Sequence, residues 1–296
     1  MSTGFIETKE YRRFDEFCDA CSQNRYVGIC YGPPGVGKTL SARHYTNWDQ
    51  AEAIGIGVGF SVTDGPPFTN RCVFYTVDVV TTPARIEREI STLRQSLQFS
   101  CPTFRELAER HDRERKTQDA FEKEQERLWE MGLRETRPTY AGEFDREFAR
   151  QKRIARQESI RLIIVDEADR LKMQGLEQFR QIFDRGGIGL VLIGMPGLEK
   201  RLARYPQLYS RIGFAHQFRP LTPRETLQLL DERRLAADLQ ADDEGIAAIL
   251  RVTGGNFRLL DRLLAQIRRI LEINTLTTIT RDVVEAAREN LVIGTE

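Results

Sequence analysis

Apolar positions fall into two patterns along this chain. Short continuous runs alternate with longer stretches in which apolar residues recur every three or four positions among charges. The runs are Val27 to Tyr31, Cys72 to Val80, Leu162 to Val165 and Gly189 to Ile193, with a weaker one at about 213–218. Strands buried on both faces of a parallel sheet carry such runs, because neither face meets water. Helical spacing appears at 5–24 (Phe5, Tyr11, Phe14, Phe17), at Leu40 to Tyr45, at 83–97 (Ile86, Ile90, Leu93, Leu97), at 174–184 and at 197–205. The alternation predicts an α/β fold, a parallel sheet with covering helices.

Two stretches depart from that rhythm. Residues 53–70 carry Gly55, Gly57 and Gly59 and end in Asp64-Gly65-Pro66-Pro67, which reads as a loop or small hairpin. Residues 103–158 are dense in both charge signs and sparse in apolar ones: Phe121, Leu128, Trp129, Phe144, Phe148 and Ile154. Such a run predicts solvated helices held by i,i+4 pairs, here broken near Gly132 to Pro138, or an insertion that contacts a partner.

Beyond Pro220 the strand-like runs stop. Thr222-Pro223-Arg224-Glu225 is a helix start: Thr at the cap, Pro in the first helical position, Glu at the third. Helices at about 223–238, 243–252, 257–273 and 280–291 predict a small all-helical lid domain. The expected organisation is an N-terminal helical segment (1–25), an α/β domain (26–220) and the helical unit (221–296).

Chemistry enters at the end of the first strand. Gly32-Pro33-Pro34-Gly35-Val36-Gly37-Lys38-Thr39, with Leu40 behind it, fits the G-x-x-x-x-G-K-[ST] phosphate-binding loop, and a strand and a helix flank it as the motif requires. Its glycines let backbone N–H groups converge on one point, and the helix N-terminus adds positive potential there. Lys38 would reach the β- and γ-phosphates of ATP, and the Thr39 hydroxyl would take one position on Mg²⁺. A second part lies downstream. Asp166-Glu167 closes the run Leu162 to Val165, at the strand end where open α/β sheets bind ligands. Asp166 is a candidate Mg²⁺ holder and Glu167 a candidate base for an attacking water.

Composition narrows the field. The chain has 296 residues, of which 40% are hydrophobic, and 44 Lys+Arg balance 44 Asp+Glu. Zero net charge predicts no strong sequence-blind attraction to nucleic acid or to acidic membranes, while leaving room for a local basic face. No apolar run approaches a membrane span and Met1 to Lys9 lacks a signal-peptide core, so no membrane partner is expected. Five cysteines (18, 21, 30, 72, 101) do not suit a disulfide framework. Cys18-Asp19-Ala20-Cys21 has metal-ligand spacing, but no second pair completes a zinc site, and two helix cysteines explain it better.

In this order the parts resemble an AAA+ ATPase, and most closely the transposition regulators of the phage Mu B, TniB and TnsC group. The residues that carry the likeness are G-P-P-G-V-G-K-T-L-S-A-R at 32–43, I-I-V-D-E-A-D-R-L at 163–171, G-L-V-L-I-G-M at 189–195, L-Y-S-R-I at 208–212 and G-G-N-F-R-L-L at 254–260. The resemblance implies further roles. Arg211 would be an arginine finger reaching the nucleotide of a neighbouring subunit, with Arg201 and Arg204 as rivals. Arg258 would read the nucleotide from the lid of its own subunit. One position departs from the family. Gly194-Met195 stands where a polar residue usually orients the water, and methionine cannot hydrogen-bond strongly. The expectation is slow hydrolysis, or another group doing the orienting.

The same resemblance implies a homo-oligomer, a ring or helical filament, assembled with ATP on double-stranded DNA without sequence preference. Its partners would be a transposase and a target-selector protein, and its place the cytoplasm of a bacterium, near the nucleoid. With only residues 1–25 ahead of the first strand, a sequence-reading DNA domain is not expected. Phosphate contacts need a local Lys/Arg stripe, for which Arg85, Arg88, Arg94 and Arg105 are candidates. The alternative is a helicase-loader-like or secretion and signalling ATPase that acts on protein partners.

Overall fold

Leu162–Asp166 is buried at every position and so is Gly189–Gly194, so both must lie inside a sheet with two covered faces. The structure, a computed structural model, describes residues 5–56, 71–136, 146, 148–151, 160–235, 239–289 and 291. Within them β1 (Val27–Tyr31), β2 (Cys72–Thr76), β3 (Leu162–Asp166), β4 (Gly189–Gly194) and β5 (Ile212–Gln217) form one parallel sheet in the order β2-β3-β4-β1-β5. β5 alternates half-buried and exposed residues, as its place at the edge requires. Registers of Tyr31 against Gly194 and Thr76 against Asp166 bring the carboxyl ends of four strands to one rim.

Helices cover both faces, each by an apolar stripe. α1 (Lys9–Asn24) starts where the Thr8 hydroxyl accepts from the Tyr11 N–H at 3.1 Å. Its fully buried Phe14 meets Phe17, His216 and Phe218 in an aromatic cluster. α2 (Lys38–Tyr45) leaves the phosphate loop and α3 (Trp48–Ala53) follows it. On the β2 side, α4 (Pro83–Ser100) packs against α6 (Met173–Gly186), with α5 (Pro102–Glu130) between them in the chain.

Past the sheet the apolar residues gather in a second core. Leu229, Leu230, Ile249, Leu263, Ile267 and Val284 are buried there, from α9 (Pro223–Leu235), α10 (Asp243–Thr253), α11 (Phe257–Asn274) and α12 (Arg281–Glu289). The Thr222 cap forms as its sequence requires. Glu225 N–H donates to Thr222 Oγ1 at 3.3 Å, and Thr222 N–H donates to Glu225 Oε2 at 2.9 Å. One addition was invisible to periodicity. Two-residue strands β6 (Gln240–Ala241) and β7 (Thr278–Ile279) pair in parallel and tie the helices together.

Three expected boundaries shift for physical reasons. The first helix begins at Lys9 rather than at residue 5. β2 ends at Thr76, four residues short of Val80, and leaves Val79 and Val80 about four-fifths exposed. The helix expected at 197–205 is instead α7 (Leu198–Leu202), and Pro206 opens a separate turn, α8 (Pro206–Tyr209). α5 is the solvated helix expected of its charges, with pairs such as Lys116–Asp112 at 2.8 Å that contribute little energy when exposed. The remainder of the Gly-rich stretch (57–70) and parts of the charged insertion (137–145, 147 and 152–159) lie outside the described residues. Cys18 and Cys21 are buried on α1, and among the described residues no group of three His, Cys, Asp or Glu could hold a metal. No helix among those residues is long and apolar enough to cross a membrane.

Candidate active site

The phosphate loop opens where β1 ends, and Gly37 in the left-handed region starts α2. Lys38 is buried at the helix start, and its Nζ donates to Gly32 O at 2.6 Å and Pro33 O at 2.7 Å. An ammonium has three donors, so one remains for a ligand in the cavity. Burial pulls the Lys38 ammonium below its usual value, and the Cys30 thiol, Asp166 and Glu167 pull it back up.

Asp166 sits beside the loop although it comes from another strand. Its Oδ2 accepts from the Thr39 hydroxyl at 2.7 Å, and its Oδ1 accepts from the Glu167 N–H at 2.9 Å. Glu167 has a φ of 56°, a left-handed conformation that costs an L-residue on the order of 1–3 kcal/mol and tends to cluster at functional sites. Its carboxylate lies 3.6 Å from Arg170, whose guanidinium also donates to Val77 O at 2.9 Å, just beyond the end of β2.

The helical unit closes the other side. Leu221 N–H donates to Gly255 O at 2.9 Å, Asn256 Nδ2 donates to Pro34 O at 3.0 Å, and Arg258 N–H donates to Gly35 O at 3.0 Å. Gly35 has a φ of 77°, and a Cβ there would stand 2.4 Å from Asn256 Oδ1. No other residue fits that position. The result is one cavity of about 350 Å³. Loop residues (Pro34, Gly35, Gly37, Lys38, Thr39) line its floor, Asp166, Glu167, Asp169 and Met195 one wall, and Phe257, Arg258 and Asp261 the lid side. Leu40 lies at the mouth between them, about half exposed.

So the structure brings Lys38, Thr39, Asp166, Glu167 and Arg258 to one cavity. Arg211 is not among its lining residues. Its guanidinium grips Asp184 at the end of α6, with Nε to Oδ1 at 2.6 Å and Nη2 to Oδ2 at 2.9 Å. Arg201, the rival finger, is committed within its own chain, with Nη1 donating to Asp169 O at 2.5 Å. The four candidate DNA arginines do not form one open stripe. Arg85 is held by Asp78 and Glu89, Arg88 is exposed, and Arg105 is half-buried. Arg94 is half-buried beside Arg185 and Glu87, and that burial pulls its guanidinium below the usual value. Of the four, Arg88 therefore has the most open side chain.

Sequence reasoning passed over Asp169, Phe257 and Asp261. For Asp169 a signal existed: it stands three residues after Asp166, within the quoted Asp-Glu-Ala-Asp run.

The donor set suits a hard cation. Thr39 Oγ1 and Asp166 Oδ2 present two oxygens at one point, and Mg²⁺ takes one or two protein oxygens plus phosphates and waters. Held there, the ion would neutralise charge on the phosphates; Thr39 and Asp166 are the residues that would hold it.

The profile of AAA domains matches residues 21–202. The chain belongs to the AAA family. This AAA protein is 42% identical over 305 residues to a "potential ATP-binding protein" of Staphylococcus aureus, covering 98% of this chain and 97% of the relative. It is 30% identical over 113 residues to the Mu-like prophage FluMu DNA transposition protein B of Haemophilus influenzae, covering 35% of this chain and 38% of that one. Among solved structures, the Thermotoga maritima RuvB Holliday junction branch migration motor superposes with a TM-score of 0.55 at 15% identity, over 98% of this chain and 71% of that one. The Aeropyrum pernix ORC2 protein superposes with a TM-score of 0.57 at 16% identity, over 99% and 71%. At such identities the two structures speak for the fold, the AAA+ P-loop sheet with its helical C-terminal unit. The family is one of P-loop nucleotide-binding ATPases.

Proposed function

We propose that this AAA protein is an ATP-dependent regulator of DNA transposition. In this reading, ATP·Mg²⁺ binds across the loop and Asp166, and subunits assemble as a ring or filament on double-stranded DNA. The assembly recruits a transposase, with or without a target-selector protein, and hydrolysis takes the assembly apart. The observation that carries the reading is the 30% identity with a protein named for DNA transposition, in a chain whose loop, Asp166, Glu167 and Arg258 share one cavity.

Each residue has a role in this reading. Lys38 and the loop N–H groups hold the phosphates. Thr39 and Asp166 hold the metal. Glu167 accepts the proton of the attacking water. Arg258 senses nucleotide from the lid, while Arg211 of a neighbour leaves Asp184 to meet the γ-phosphate. Arg88 is the exposed arginine of α4 best placed to touch DNA phosphate, and Arg85 and Arg105 would flank it. Nucleotide and DNA binding together favour a cytoplasmic protein.

Electron microscopy of the protein with a non-hydrolysable ATP analogue, with and without duplex DNA at low salt, tests the reading. Ordered assemblies that need both ligands are expected. Their absence, with ATPase stimulated by a protein partner instead, would transfer the protein to the loader class.

A further inference from the structure

Three carboxylates line one wall of the cavity, across from Asp261 on the lid side, and two of the three are already engaged. Both Asp166 oxygens accept hydrogen bonds, from the Thr39 hydroxyl and the Glu167 N–H. Glu167 reaches toward Arg170. Asp169 is the third, half-buried on the short turn Ala168–Arg170 that follows β3.

Asp169 is fixed from two directions. Its Oδ1 accepts from the Met195 N–H at 3.1 Å, and its backbone carbonyl accepts from the Arg201 guanidinium at 2.5 Å. Gly194 makes the approach possible, because a Cβ on Gly194 would stand 2.6 Å from Asp169 Oδ1. Among the described residues, Oδ2 of Asp169 accepts no hydrogen bond. Met195, at the end of β4 and on the same wall, offers only a thioether, a weak acceptor. The cavity wall therefore has one anchored carboxylate oxygen with nothing to accept.

We infer that Asp169 holds the attacking water in ATP hydrolysis, through Oδ2, at the place where Met195 supplies no polar group. The inference rests on reading this cavity as the ATP site. In the step, the water oxygen forms a bond to the γ-phosphorus, and the bond from that phosphorus to the β–γ bridging oxygen breaks. ADP leaves with the bonding pair. One water proton passes to Glu167, and the other stays on the oxygen transferred to phosphate. That second hydrogen is the one donated to Asp169 Oδ2. Two acceptors on one water fix its lone pair in direction, which is the contribution of orientation rather than of proton transfer.

Asp169→Asn is the decisive variant. The Met195 N–H requires an acceptor, so the amide oxygen stays at Oδ1 and the NH₂ falls at Oδ2. A donor then stands where the water needs an acceptor. Binding of a fluorescent ATP analogue, thermal melting and turnover are measured on the full chain, with duplex DNA present. Turnover is expected to fall by about tenfold to 10²-fold, with nucleotide affinity and melting temperature unchanged. An Asn variant that binds nucleotide and turns over at the wild-type rate would overturn the inference. Loss of affinity with turnover intact would overturn it too, because the contact would then be to bound nucleotide. Wild-type protein that fails to bind the analogue would remove the underlying site reading instead.

Discussion

Thr39 and Asp166 are 127 positions apart in the chain, and the Thr39 hydroxyl donates to Asp166 Oδ2 at 2.7 Å. One group leads the helix after β1 and the other ends β3, two strands separated in the sheet by β4. Their meeting at a single point is the geometric core of the site.

Two substitutions there separate phosphate from metal. Lys38→Ala removes the buried ammonium and is expected to weaken ATP binding at least tenfold, since charge-assisted hydrogen bonds of this kind are worth about 1.5–3 kcal/mol. Thr39→Val keeps the shape and deletes the hydroxyl. Its expected signature is a higher Mg²⁺ midpoint for turnover. Calorimetry with ATP, with and without Mg²⁺, measures both, and unchanged binding by Lys38→Ala would contradict the loop's role.

Glu167→Gln keeps volume and removes the proton acceptor. ATP binding and assembly should persist while turnover falls by about 10²- to 10⁴-fold. Wild-type turnover in that protein would clear Glu167 of the role.

Arg211 is paired with Asp184 within its own chain, so a role in a neighbour's site requires that pair to open. Arg211→Ala should bind ATP normally and lose about 10³-fold or more in turnover. Mixing it with Glu167→Gln protein should restore part of the rate, because each supplies what the other lacks. A mixture no faster than its components would place the arginine outside the site.

His216 predicts an acid-sensitive fold. It is half-buried between Phe14, Phe17 and Phe218, and its Nε2 lies 3.9 Å from Glu10. Burial lowers its pKa, Glu10 raises it, and Arg13 and Arg219 lower it, for a net decrease from 6.5. The folded value is therefore below the unfolded one. As pH falls through about 6.5 the unfolded chain takes up a proton that the folded chain refuses, and stability declines. His216→Phe should lose less melting temperature between pH 7.5 and pH 5.5 than the native chain. An equal loss in both would dismiss His216 as the source.

Much of this was legible in the sequence, and the limits are instructive. Lys38, Thr39 and Asp166 were readable because the loop motif and a fully apolar strand are local signals. The partners of Asp169 were not. Met195 N–H and the Arg201 guanidinium come from 26 and 32 positions away, and only packing brings them there. β2 looked longer than it is, since Val79 and Val80 have strand propensity but no neighbouring strand to cover them. β6 and β7 are two residues each, too short for any periodicity. Arg94 has the spacing of a surface charge and is half-buried, with Glu87 and Arg185 in its electrostatic neighbourhood, a setting no one-dimensional pattern contains.

The seam between Asn256, Arg258 and the loop carries a mechanical implication. Pro34 and Gly35 are gripped through their carbonyls by the first turn of α11, so the C-terminal helices cannot swing away while the loop keeps its present hydrogen bonds. Outward movement of the helices and reshaping of the loop are thus one event, and any push on the distal helices is transmitted to Pro34 and Gly35 at the base of the cavity.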